Sequence, residues 1–290
     1  MKKPWFLPIA VLAAVFAIAA APENEQAPAG AAEKIGDALP AEGYAEPADT
    51  RKLLVFSRTD GFRHRSIPTG KLALQKMGEK TGAFEAVISD DLANFEPGKI
   101  DQFDAIVFLN TTRNVFKGAE DEKRLQDSLM KFVRSGKGFV GIHAATDTLY
   151  NWPAYGEMIN GYFNGHPWSA GTKVHIAIEE GKEDHPLTAM LGGEPLVFKE
   201  EIYQFKDPYD SSEVDMLLRL DPEKSDQVKG LKRDDNDYGV AWARHWGEGR
   251  VFYCSLGHNH DIYWHPKVLR HYLAGIQWAL GDYEVDVSEG

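Results

Sequence analysis

Cysteine is almost missing from this chain of 290 residues, where Cys254 stands alone. No internal disulfide is then possible. Cys254 lies in the apolar run Val251-Phe252-Tyr253-Cys254-Ser255-Leu256, and a nucleophilic thiol needs exposure and an electropositive setting, so a buried structural thiol is expected. Basic residues are also short, with 32 Lys and Arg against 44 Asp and Glu and a net charge of −12. Such a surface repels phosphate backbones and anionic membrane, which argues against a nucleic-acid partner. Compact metal signatures are missing as well: there is neither an H-E-x-x-H pattern nor a pair of cysteines. The run Asp234-Asp235-Asn236-Asp237 lacks the glycine and distal glutamate of an EF-hand loop and reads as a solvated acidic turn.

Long apolar runs are confined to the beginning, where Trp5 to Ala21, interrupted by Pro8, follows Met1-Lys2-Lys3 and gives way to Pro22-Glu23-Asn24-Glu25. This is the layout of a secretory signal peptide over residues 1–21, with cleavage expected after Ala19, and it is short for a membrane span. The expected location is therefore periplasmic or secreted, with no stable membrane insertion after processing. Residues 22–50, rich in Ala, Pro, Glu and Gly, read as a disordered linker. Residues 51–282 then offer enough apolar material for one α/β domain, and 283–290 read as a tail.

Within the domain, Leu53-Leu54-Val55-Phe56, Phe84 to Ile88, Asp104 to Leu109 and Gly138 to Ile142 are apolar runs of the kind found in strands buried on both faces. Helical patterns over Ser66 to Lys80 and Glu120 to Arg134 alternate with them, which predicts right-handed crossovers and a doubly wound, mostly parallel sheet. Further strands are expected at Lys173–Ile178, Glu201–Phe205 and Val214–Leu220. A β-hairpin is expected from Val240–Trp246 through Gly247-Glu248-Gly249 to Arg250–Leu256, with a closing helix over Pro266–Leu280.

Ligands of open α/β sheets sit outside the carboxyl ends of the strands. Those ends carry Arg63 and His64 after the first strand, Asn110-Thr111-Thr112-Arg113 after the third, His143 after the fourth, and His258 and His260 after the last. His143, at a sharp strand-to-helix turn, is the foremost candidate. Neutral imidazoles suit zinc and related ions, so His64, His143, His166 and His258, with a carboxylate such as Glu201, form a candidate divalent-metal set. His185, in Asp184-His185-Pro186, looks more like a capping segment than a ligand. Trp152, Trp168, Trp242, Trp246 and Trp264, with Tyr203 and Tyr263, are candidates for a sugar-stacking wall, because flat apolar faces with polar rims suit pyranose rings.

Six short stretches in order carry a resemblance. They are Gly61-Phe62-Arg63-His64 with Ser66-Ile67; Gly141-Ile142-His143-Ala144-Ala145-Thr146-Asp147; Gly161 to Pro167; Asp184 to Thr188; Glu201-Ile202-Tyr203; and Gly249 to Tyr253 leading to Leu256-Gly257-His258. Across residues 52 to 281 the chain resembles the ThuA-like (trehalose-utilisation) family. The resemblance implies a flavodoxin-like sheet akin to class I glutamine amidotransferases, a role in carbohydrate use, and a small-molecule sugar or keto-sugar as partner. Those amidotransferases carry cysteine where this chain has His143, so thiol-dependent glutamine hydrolysis is not expected. Glu200-Glu201 stands where the family often has Asp-Glu. The first expectation is acid/base chemistry on a sugar, with His143 or His258 as base, Glu201 as partner and His64 or Arg63 as electrophile; His166, Tyr203 and Trp168 would contact substrate. A sugar-binding module without turnover and a metal-dependent hydrolase are the alternatives.

Overall fold

The computed structural model describes residues 26–287. The leader expected at residues 1–21 lies outside them. Among the described residues, no helix is long and apolar enough to cross a membrane. Among the described residues the first element is α1 (Ala31–Ala38), followed by β1 (Lys52–Phe56), α2 (Ile67–Thr81), β2 (Glu85–Ile88), β3 (Ala105–Leu109), α3 (Glu122–Arg134) and β4 (Gly138–Ile142). Next come α4 (Pro153–Ile159), β5 (Tyr162–Phe163), β6 (Lys173–Ile178), β7 (Leu196–Lys199) and β8 (Phe205–Lys206). Then follow β9 (Asp215–Leu220), β10 (Gly239–Trp246), β11 (Gly249–Cys254) and α5 (Pro266–Ala279).

Nine strands form one sheet in the order β2-β1-β3-β4-β11-β10-β9-β6-β7. The first five are parallel to one another, in the 2-1-3-4-5 order of a flavodoxin-like sheet, and the remaining four continue it antiparallel. Successive side chains of a strand point to opposite faces. Leu53, Val55, Val107, Val140 and Phe252 accordingly pack in one apolar layer with α2 and α5, while Leu54, Phe56, Phe108, Phe139 and Val251 pack in the other with α3 and α4. The expected hairpin is present, with Trp246 opposite Gly249.

Three expectations are corrected. The linker assigned to 22–50 is folded from residue 26: α1 buries Ala31 and Ile35, with Leu39 just beyond it, in the core shared with α2 and α5. Lys80 Nζ closes its C-terminal carbonyls at Gly36 (2.7 Å) and Leu39 (2.9 Å), as a cation at a helix C-terminus should. The segment then runs to α5, where buried Gln277 accepts from the Tyr44 amide and donates to the Ala45 carbonyl. The tail assigned to 283–290 also packs as far as it is described, burying Val285 and Val287. The strand expected over Glu201–Phe205 is irregular, with a single bridge from Ile202 to Trp168 before β8.

Candidate functional site

The carboxyl ends of the parallel strands deliver their loops to one place. His64 follows β1 and His143 follows β4, while His258 follows β11 and Glu201 arrives from beyond β7. One ligand-type atom from each of His64, His143, Glu201 and His258 lies within 4.8 Å of the others. The three ring centroids are 4.8 to 5.5 Å apart.

His143 is held from every side. Its φ of 50° is the left-handed conformation of a sharp elbow, costly for a residue with a Cβ. Tyr253 holds the turn by donating to the His143 carbonyl at 2.8 Å, and Tyr155 donates to the Ala145 carbonyl at 2.7 Å. Nδ1 of His143 donates to the Ser255 carbonyl at 2.6 Å, so its proton is on that nitrogen and Nε2 presents a lone pair. That Nε2 has no hydrogen-bond partner and lies 3.6 Å from Glu201 Oε1. Beneath the ring lies Tyr203, centroids 4.5 Å apart.

His258 Nδ1 is 3.2 Å from the same Glu201 oxygen, and His166 Nδ1 is 3.2 Å from the other. His64 Nδ1 and His258 Nδ1 are buried without an aligned hydrogen-bond partner. Burial, with repulsion from His143 and His258, pushes His64 down to about 2, so its ring is neutral. Burial also lowers His143, outweighing its attraction to Glu201. In His258 the same desolvation is overtaken by the two glutamates and the net shift is upward. Burial would raise Glu201, but the histidines against it hold the carboxyl well below the usual range.

The loop carrying His258 is pinned by the acid that precedes Glu201. Buried Glu200 accepts from the amides of Gly257 (3.0 Å), His258 (2.6 Å) and Asn259 (3.1 Å). Burial lifts its carboxyl to about 8 despite those bonds. The Gly257 carbonyl accepts from Ser66 Oγ, Asn110 Nδ2 and Tyr263 Oη. At φ 137° and with a Cβ position 2.7 Å from Tyr263 Oη, Gly257 leaves no room for another residue.

The other candidates fall differently. His166 stands half-exposed at the opening, stacked on Phe163. Arg63 turns back on its own loop, donating to the Ser57 carbonyl at 3.3 Å. Tyr203 is buried under His143 and supports it instead of offering a face to solvent. Trp168 is a correction: at 1% exposure it packs against Tyr238 and donates to the Asp226 carbonyl, so it cannot stack on a sugar. Phe62, quoted in the sequence only as part of Gly61-Phe62-Arg63-His64 and not as a site residue, because a lone aromatic carries no periodicity, is 63% exposed over His64 and His258. His185 lies 3.3 Å from Asp215, apart from the cluster, and accepts from the Leu187 amide. Cys254 is fully buried and pushed up to about 12 by that burial, which leaves no thiolate for catalysis.

A ThuA-like protein from Bacteroides uniformis superposes with a TM-score of 0.61 at 21% identity, over 81% of this chain and 94% of its own. Another from Parabacteroides merdae superposes with a TM-score of 0.58 at 17% identity, over 82% and 92%. Likeness at this identity speaks for the fold. No curated protein matches the chain. The ThuA family model, described as trehalose utilisation, matches residues 52–279, a span that contains all of the histidines and glutamates assembled at the sheet edge. The chain belongs to the ThuA, or trehalose-utilisation, family.

Proposed function

We propose that this ThuA protein is a metal-dependent, sugar-active enzyme that holds one divalent cation between His64, His143, His258 and Glu201. The observation that carries the reading is the tautomer of His143. With its proton committed to the Ser255 carbonyl, Nε2 turns a lone pair toward a carboxylate oxygen 3.6 Å away. Two acceptors facing each other in a buried site call for a cation between them. A protein carbonyl on the far nitrogen is also the usual way a metal-binding imidazole is oriented. Donors on opposite sides of one ion lie at most about 4.2 Å apart, so the 4.8 Å spread closes by roughly half an ångström. Three imidazoles and one carboxylate suit zinc best.

The family supports a carbohydrate as substrate, and exposed Phe62 offers a flat apolar face beside the site. The ion would polarise a sugar oxygen as a Lewis acid. With His143 and His258 occupied as ligands, the acid/base role passes to His166, which is exposed enough to meet substrate and is oriented by Glu201. We also propose that it works outside the cytoplasm, on the leader-like residues before Pro22.

Elemental analysis of protein purified without chelator, followed by zinc titration, tests the centre. About one ion per chain is expected for the wild type, and about a hundredfold weaker binding for His143→Ala. Wild-type protein that takes up no divalent ion would overturn it. That result would favour the second reading, a metal-free His258–Glu201 dyad, for which the upward shift of His258 speaks.

A further inference from the structure

Beside the cluster, a cleft of about 700 Å³ opens between the loops after β1, β3 and β4. Asp60 and Arg113 on its rim follow β1 and β3, the strands from which the crossovers diverge to opposite sides, where open α/β sheets bind ligands. The cleft shares a wall with the candidate metal centre. Phe163 lines it and packs on Tyr203 (4.4 Å) and His166 (5.9 Å). Tyr150, also in the lining, donates to Asp147 at 2.5 Å.

The charges here run against the rest of the molecule. In a chain of net charge −12, Arg113, Lys206 and Lys232 all line this one cleft. Among the described residues, neither Lys206 nor Lys232 is in an ion pair, and Arg113, its side chain 60% exposed, is 3.9 Å from Asp147. Of the two acids in the lining, Asp60 pairs with Lys117 at 2.6 Å, while Glu122 accepts only from the neutral Asn114 amide at 2.8 Å and keeps its charge, so the three cations outnumber one uncompensated acid. The cations are also aimed. Arg113 has a left-handed φ of 60°, fixed by its amide on the Asp147 carbonyl and by the Leu149 amide on its own carbonyl. Its guanidinium and the Lys206 ammonium lie 5.5 and 4.9 Å from the Tyr150 ring centre. Lys232 Nζ is held at 2.6 Å on the Asn164 carbonyl. Strain of this kind at a cleft marks a place where the side chain's direction matters.

We infer that this cleft is a subsite for a saccharide unit bearing a carboxylate, the anion lying among Arg113, Lys206 and Lys232 and the ring against Trp152. Two lysines outside any ion pair, with Arg113 only loosely paired to Asp147 at 3.9 Å, supply charge-assisted hydrogen bonds to an anion, and the face of Trp152 supplies what a sugar ring needs. This rests on the saccharide reading above and names the class of sugar: an acidic glycoside in place of a neutral disaccharide.

The test is calorimetric titration of full-length protein, zinc-loaded and zinc-stripped, with methyl β-glucuronoside, methyl β-glucoside and glucose 6-phosphate. The glucuronoside is expected to bind at least about tenfold more tightly than the glucoside in both forms, with the preference shrinking as ionic strength rises. A Lys206→Gln/Lys232→Gln double variant is expected to lose most of that preference while keeping its zinc content and its affinity for the neutral glucoside. Equal affinity for the two glycosides, no binding of either, or a preference that survives in the double variant would overturn the subsite. Stronger binding of the phosphate would overturn the carboxylate assignment. A protein that takes up no zinc yet discriminates between the glycosides would sink the metal centre alone and leave the subsite standing.

Discussion

Glu200 places His258 without itself reaching the cluster's interior, and its loss separates geometry from ligand chemistry. Replacing it by alanine leaves the amides of Gly257, His258 and Asn259 without their acceptor, in a part of the fold where Gly257 is fully buried. A buried unsatisfied amide costs about 1–3 kcal/mol. Glu200→Ala is therefore expected to lower the unfolding free energy by about 3 kcal/mol and to weaken zinc binding through a displaced His258, as read by urea denaturation and zinc titration. Glu200→Gln keeps an acceptor for Gly257 and His258 and should fall between the two. An alanine variant as stable as the wild type would show that the loop holds itself.

At the scale of elements, α1 is the sharpest test of the packing. It contributes only two turns to the core, and its single large apolar side chain there is Ile35, fully buried. Ile35→Ala removes a branched side chain from that seam and should destabilise the protein by about 2–4 kcal/mol in denaturant unfolding. A change within about 0.5 kcal/mol, the range of surface substitutions, would mean that α1 does not dock. This helix also shows what the sequence conceals. The central parallel strands β1, β3 and β4 were legible because burial on both faces makes them continuous apolar runs, and the loops at their carboxyl ends were legible as polar stretches following those runs. The stripe of Ala31 and Ile35 in α1, with Leu39 just past its end, is too sparse to stand out from a linker of similar composition. β7 was missed for a related reason: at the sheet's edge it buries Leu196 and leaves Val197 exposed. Trp168 was misread because an aromatic residue's identity does not reveal which way it faces. Glu201 was named beside His143 through the resemblance and not through a local signal, since the edge strand that precedes it lies far from β4 in the sheet.

For the whole molecule, buried neutral histidine sets acid sensitivity. His271 in α5 is fully buried, donates from Nδ1 to the Leu187 carbonyl at 2.7 Å, and is pushed by burial down to about 4 from an ordinary 6.5. Its folded pKa lies below its unfolded one, so its contribution is complete above pH 6.5. Between there and about pH 4 the unfolded chain takes up the proton first and stability is lost. About 2 kcal/mol should be gone by pH 5, and His271→Gln, which retains a donor but does not titrate, should lose less over the same range. Unfolding curves at pH 7.5 and pH 5 decide it, and equal losses in the two proteins would remove His271 from the account.

The position of β11 has a consequence for the order in which the chain can be made. It lies between β4 and β10, which do not pair with each other, so the parallel and antiparallel halves of the sheet are joined by residues 249–254 alone. During synthesis, every earlier strand emerges while that central place is vacant, and β4 and β10 each present a bare edge open to pairing with another chain. A ribosome that stops short of residue 249 therefore releases two half-sheets with exposed seams, and the same late segment that closes them also brings in His258. Assembly of the site and protection from aggregation are thus completed by one event, the insertion of β11.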